Sequence, residues 1–152
     1  MKGFQRLAII ITLAITALNT NAEINQSTTI NDIHQQMESK QLTSEQLVQF
    51  YLQRIADFDD KGHQLNSVVQ LNKKALDQAK ALDRYFLKSG FKGSMHGIPV
   101  LLKDNIDTTD GMANTAGSAA LAKNFPEDDA FLVKHLKAQG AIILGKTNLS
   151  EW

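Results

Sequence analysis

The sequence predicts an α/β fold, a β-sheet core covered by helices with an α-helical lead-in at the N-terminus. Three features carry this reading. Ile98–Leu102 and Ala141–Leu144 are short apolar runs, each just behind a glycine, which suits strands covered on both faces. Between them Phe131, Leu132, Val133 and Leu136 keep a helical spacing. Strand, helix and strand in that order argue for a sheet with a helical crossover.

Composition sets the outer limits. The chain has 152 residues, 43% hydrophobic and 21% charged, with a formal net charge of zero, enough for one globular domain. No basic stretch suggests a nucleic-acid surface. The absence of cysteine excludes disulfides, thiolate nucleophiles and cysteine-ligated metals.

Residues 1–22 read as a signal peptide. Lys2 and Arg6 precede an apolar run from Leu7 to Leu18, and Asn19-Thr20-Asn21-Ala22 ends on a small residue. The run is shorter than the roughly 20 residues that span a bilayer, so cleavage is favoured over an uncleaved anchor. The expected product is an exported protein, periplasmic or secreted, mildly acidic and without stable membrane insertion.

The remaining elements follow in order. Ile30, Ile33 and Met37 predict a short helix between Thr29 and Lys40. Thr43 and Gln46 have capping-box spacing, and Leu47, Val48, Tyr51, Leu52, Ile55 and Phe58 behind them form one wide apolar face. Asp59-Asp60-Lys61-Gly62 reads as the turn that ends this helix. Val68, Val69 and Leu71 suggest a strand. Asn72 is placed to cap a helix through Ala75, Leu76, Ala79, Leu82 and Phe86, with Gly90 as its stop. Asp128 or Asp129 is expected to cap the helix at Phe131, and Gly140 to end it. More than twenty residues between Lys103 and that helix lack periodicity, and a loop of that length in a compact domain is usually functional or disordered. The stop at Trp152, soon after the last strand, reads as a truncation.

The chemistry centres on Gly97-Ile98-Pro99-Val100-Leu101-Leu102-Lys103-Asp104-Asn105. Lys103 follows an apolar run, at the end of the sheet where α/β proteins place ligands. Burial there would disfavour its ammonium form and make it a base. On spacing alone, a strand-end lysine that reaches water is the commoner case. Gly140–Thr147 matches the phosphate-binding string G-x-x-x-x-G-K-T, but its middle residues favour a buried strand and a helix precedes the first glycine, so nucleotide binding is disfavoured. His34, His63, His96 and His135 lack metal-ligand spacing, His96 reads as a turn residue, and no G-x-S-x-G elbow is present.

Gly97–Asp107, Asp110-Gly111-Met112, Thr115-Ala116-Gly117-Ser118 and Gly140–Trp152 occur as an ordered set. From about Ile30 to the last residue the chain resembles the N-terminal part of the amidase-signature family, which would make 23–152 an incomplete portion of that domain. The resemblance implies amide hydrolysis by a serine, a serine on a cis peptide bond, and a lysine, with no cofactor or metal. Lys103 matches the catalytic lysine, acting as a base relayed through one serine to the attacking one. Thr115, Gly117, Ser118 and Asn148 fall in segments that line the site in family members, and they are carried as substrate-binding candidates. Ala113-Asn114 departs from the proline-threonine found in many members. Both serines come later in the family, and the 152 residues contain no Ser-Ser pair. The chain therefore supplies the lysine only; the alternative is a truncated remnant without activity. Export favours a hydrolase of small amides or peptide amides over the cytoplasmic subunit that amidates misacylated tRNA.

Overall fold

A computed structural model of the chain describes residues 24–149. The signal-peptide expectation for residues 1–22 lies outside them.

Two helices lead in. Helix α1 (Ile30–Glu38) starts at Thr29, whose hydroxyl accepts from the Asp32 amide while the Asp32 carboxylate accepts from the Thr29 amide. Helix α2 (Ser44–Arg54) starts with the same reciprocal arrangement between Thr43 and Gln46. Each satisfies two amides that a helix start otherwise leaves free. The two free amides of Ser44 and Glu45 go to the Asp83 carboxylate at 2.7 and 3.0 Å.

Asp59–Gly62 does not form the expected turn. The chain continues from α2 as a π-helical stretch, Ile55–Gly62. Asp59 is buried by this winding, and its carboxylate accepts from the amides of Ser67 and Val68 and from the Ser67 hydroxyl. The acidic residue read as a surface turn is thus the anchor for the next strand.

Strand β1 (Val68–Leu71) leads to helix α3 (Ala75–Ser89), which stops at Gly90. Asn72 does not cap α3, whose N-cap position falls on Lys74 without a side-chain bond; its carboxamide oxygen instead accepts from the Lys74 amide at 2.8 Å, in the turn ahead of the helix. Strand β2 (Pro99–Lys103), helix α4 (Phe131–Ala138) and strand β3 (Ile142–Thr147) complete the expected strand–helix–strand unit. Neither Asp128 nor Asp129 caps α4; the residue before it is Ala130, without a side-chain cap. Asp129 instead meets Lys137 on the last turn of that helix, at 2.8 Å.

The sheet order is β1-β3-β2, with β3 antiparallel to β1 and parallel to β2. Ile142 and Leu144 pack on Val48 from α2 and on Ala75 and Ala79 from α3. On the other side Ile143 packs with Leu102, Met112 and Val133. A third cluster joins Ile33 and Met37 of α1 to Leu42, Leu47 and Ile98. Central strand β3 is therefore covered on both faces, as its unbroken apolar run predicts. Gly140 and Thr147 bound a helix stop and a buried strand, an arrangement that cannot wrap a triphosphate.

One irregularity matters for the site. Val100 pairs with Ile143, but Leu101 pairs with Gly145, so Leu144 is an extra residue in β3. Such a bulge reverses the side-chain alternation beyond it. Leu102 then lies beside Lys146, and Lys103 beside Thr147.

Candidate functional site

The parallel strands β2 and β3 end side by side, and the predicted site residues gather around these ends. Lys103 is exposed, the commoner case for a strand-end lysine. Its strand places it on the face that carries Leu71 and Leu101, which meet over the backbone of Gly145 and remain 39% and 40% exposed. The Lys103 ammonium donates to the carbonyl of Asn148 at 2.8 Å. Asn148 in turn is held by its amide, which donates to the Ser67 carbonyl at 2.8 Å.

The loop after β2 is organised by side chains, which is why no periodicity marks it. Asp104, 2% exposed, is its hub. One carboxylate oxygen accepts from the Gln70 carboxamide at 3.0 Å. The other accepts from the Thr115 hydroxyl and, at 3.4 Å, from the Gly117 amide. Ser118 joins through its amide, which donates to the Thr115 carbonyl at 2.8 Å. The departure at Ala113-Asn114 is accommodated here. Gln70 both donates to the Ala113 carbonyl and accepts from its amide, each at 2.9 Å, while the Asn114 carboxamide donates to Asp107.

The structure thus brings Lys103 and Asn148 into direct contact. Thr115, Gly117 and Ser118 lie on the adjoining loop, tied to Asp104 rather than to Lys103 itself. His96 belongs elsewhere, at the far end of β2. It is fully buried against Phe86 and Phe91, its Nδ1 accepting from the Lys92 amide at 3.1 Å. Burial and the neighbouring His34 push its imidazole below the usual histidine range.

Sequence reasoning missed Lys146. Its side chain has no exposed surface, and its ammonium donates to the carbonyls of Asp104 at 3.1 Å and Ala113 at 3.4 Å, with the Asp104 carboxylate 3.8 Å away. Burial pulls this lysine below the ordinary lysine range, while the carboxylates of Asp104 and Asp107 oppose the shift. The signal was present, since Lys146 follows a buried apolar run just as Lys103 does. Its place in a phosphate-binding string drew attention away from that parallel.

A family model described as Amidase matches residues 46–152. The chain belongs to the amidase family. A probable amidase of Arabidopsis thaliana is 46% identical over 129 residues, covering 84% of this chain and 25% of that protein. Mandelamide hydrolase of Pseudomonas putida is 42% identical over 113 residues, covering 74% of this chain and 21% of the hydrolase. The solved structure of the native peptide amidase from Stenotrophomonas maltophilia superposes with a TM-score of 0.79 at 47% identity, over 84% of this chain and 26% of the other. The helical lead-in and the three-stranded mixed sheet are therefore part of the amidase-signature fold, and the chain spans about a quarter of these relatives' length.

Proposed function

We propose that this chain is part of an amide hydrolase in which Lys103 is the catalytic base. One observation carries the reading. The ordered motifs of an amidase converge on the ends of β2 and β3, where Lys103 stands on an open face of the sheet and is held by the Asn148 carbonyl. An exposed strand-end lysine is within reach of a substrate and of serines supplied by other parts of the polypeptide. The mechanism implied by the resemblance uses a neutral Lys103 to take a proton through one serine from the serine that attacks the carbonyl. Backbone amides then stabilise the tetrahedral intermediate. Neither serine can be assigned within the 152 residues.

Thr115, Gly117, Ser118 and Asn148 shape the rim against which an amide substrate would lie. Small amides and peptide amides are the proposed substrates, in keeping with the mandelamide hydrolase and peptide amidase among the relatives. The proposed location is outside the cytoplasm, supported by Lys2, Arg6 and the apolar run to Leu18. Mass spectrometry of the exported protein should then find an N-terminus at Glu23; retention of Met1 or of the apolar run would remove this part of the proposal.

The test of activity is ammonia release from a C-terminally amidated peptide and from a small aryl amide by the full-length protein. Turnover on either, lost in Lys103→Ala at unchanged melting temperature, supports the reading. Failure to hydrolyse any amide would contradict it. The 152 residues hold no Ser-Ser pair, so by themselves they are expected to release no ammonia.

A further inference from the structure

Lys146 has a cost that its apolar neighbourhood does not explain. The adjacent Leu102 packs with Ile143, Met112 and Val133, so an apolar side chain would suit the same side of the sheet. Burying an ammonium costs several kcal/mol unless each of its protons finds an acceptor. Lys146 donates to two carbonyls, those of Asp104 and Ala113, and the Asp104 carboxylate lies 3.8 Å away as its counter-charge. A methionine or leucine could fill the space and hold none of them.

What those acceptors have in common is their place in the chain. Asp104 is the first residue after β2, and Ala113 is where the same loop returns to the sheet, clamped by Gln70. Lys146 therefore closes the loop between 104 and 113 from beneath. Above it, the Asp104 carboxylate gathers Thr115 and Gly117, and the Asp104 amide donates to the Thr147 carbonyl at 2.9 Å. Lys103 is covalently joined to Asp104 and hydrogen-bonded to Asn148, two residues beyond Lys146. The strand exit that carries Lys103 thus depends on a segment that Lys146 fixes, while Asn148 is held separately by Ser67. A reacting group displaced by about 1 Å can lose some hundredfold in rate, so this support has a functional consequence.

We propose that Lys146 is a positioning residue for the Lys103 site, its buried ammonium holding the strand exit and the 113–117 turn in the register that amide hydrolysis requires. The proposal rests on the amidase reading above, and it separates two lysines of different task. Lys103 meets the substrate side; Lys146 never does.

The experiment compares full-length wild type with Lys146→Met, using an amidated peptide as substrate and hydrogen exchange as a second readout. The expected result is a fall in kcat of about ten- to a hundredfold with KM within about twofold, and faster exchange confined to 104–117. Exchange in α2 and α3 should stay at the wild-type rate. Unchanged kcat would overturn the proposal, and so would accelerated exchange throughout the molecule, which marks a general loss of stability. If Lys146→Met does not fold, Lys146→Gln retains an N–H donor and should give the same local pattern at smaller amplitude; wild-type values there overturn the proposal equally. A wild type that releases no ammonia fails the amidase reading itself, a result distinct from an active wild type matched by its Lys146 variant.

Discussion

Lys103 and Lys146 leave neighbouring parallel strands toward opposite faces of the sheet, and each donates to a main-chain carbonyl just past the end of the other's strand. Lys103 of β2 reaches Asn148 at 2.8 Å, and Lys146 of β3 reaches Asp104 at 3.1 Å. The bulge at Leu144 makes this possible by turning Lys146 to the same side as Leu102. The two strand exits are tied to one another by this exchange, one tie in the open and the other inside the fold.

The outer tie uses the backbone of Asn148, not its side chain. Among the described residues the Asn148 carboxamide makes only a long 3.4 Å contact with the Asn66 carbonyl. Asn148→Ala should therefore leave the melting temperature nearly unchanged, a stability effect within about 0.5 kcal/mol, while preserving the Lys103 contact. If Asn148 binds substrate, its loss should appear in KM. An altered melting temperature with an unaltered KM would assign the side chain to structure instead.

Lys137 fastens the long loop to α4. Its ammonium lies 2.7 Å from Asp110 and 2.8 Å from Asp129, carboxylates that are 5% and 13% exposed. Lys137→Met leaves two poorly hydrated carboxylates without their cation, and should destabilise the fold by about 2 kcal/mol. Denaturant titration measures this directly. A change below about 0.5 kcal/mol would place the cluster among ordinary surface ion pairs.

The same cluster predicts acid sensitivity. Burial alone would raise both carboxyls, but hydrogen bonds from Lys137 and from Thr108, Gln78 or Thr109 outweigh it and hold both below the usual aspartate range. For a carboxyl lowered by folding, the stabilisation is complete above the unfolded value and is lost as pH falls through the folded one. Stability should thus decline from about pH 5 downward, and less steeply in Lys137→Met. Melting temperatures taken between these limits decide the matter; parallel profiles for the two proteins would exclude the cluster as the source.

Gly140 ends α4 with φ of +89°, and a Cβ placed there would lie 2.8 Å from the Cα of His96. Both the conformation and the contact resist a side chain. Gly140→Ala should cost about 1–3 kcal/mol, against a gain for alanine at an unstrained site. An equal or higher melting temperature would show that the backbone can yield at this point.

What the sequence made legible follows from which interactions are local. Thr43 with Gln46, and Gly90 and Gly140 at helix ends, act within a turn of their own position, and the structure has them where spacing placed them. The apolar run of β3 was equally plain because both its faces are covered, whereas β2, expected to be covered likewise, leaves Leu101 and Lys103 exposed on one face. The failures share a cause. Asp59 was read as a turn residue and Asp129 as a cap, yet each is satisfied by partners outside its own turn, Ser67 and Lys137. Lys103 is exposed, the commoner case on spacing alone, whereas Lys146 was passed over and is enclosed. The difference between them is the one-residue bulge at Leu144, which depends on the pairing of two strands more than forty residues apart. No local pattern encodes that register.

In the proposed arrangement Lys103 performs the proton transfer while Lys146 only holds it in place. The most direct measurement is single-turnover ammonia release by full-length Lys103→Met, beside Lys146→Met, at matched folded fraction. Lys103→Met should lose about 10²–10⁴-fold, more than Lys146→Met. Near wild-type release by Lys103→Met, with release abolished in Lys146→Met, would contradict that arrangement and exchange the two roles.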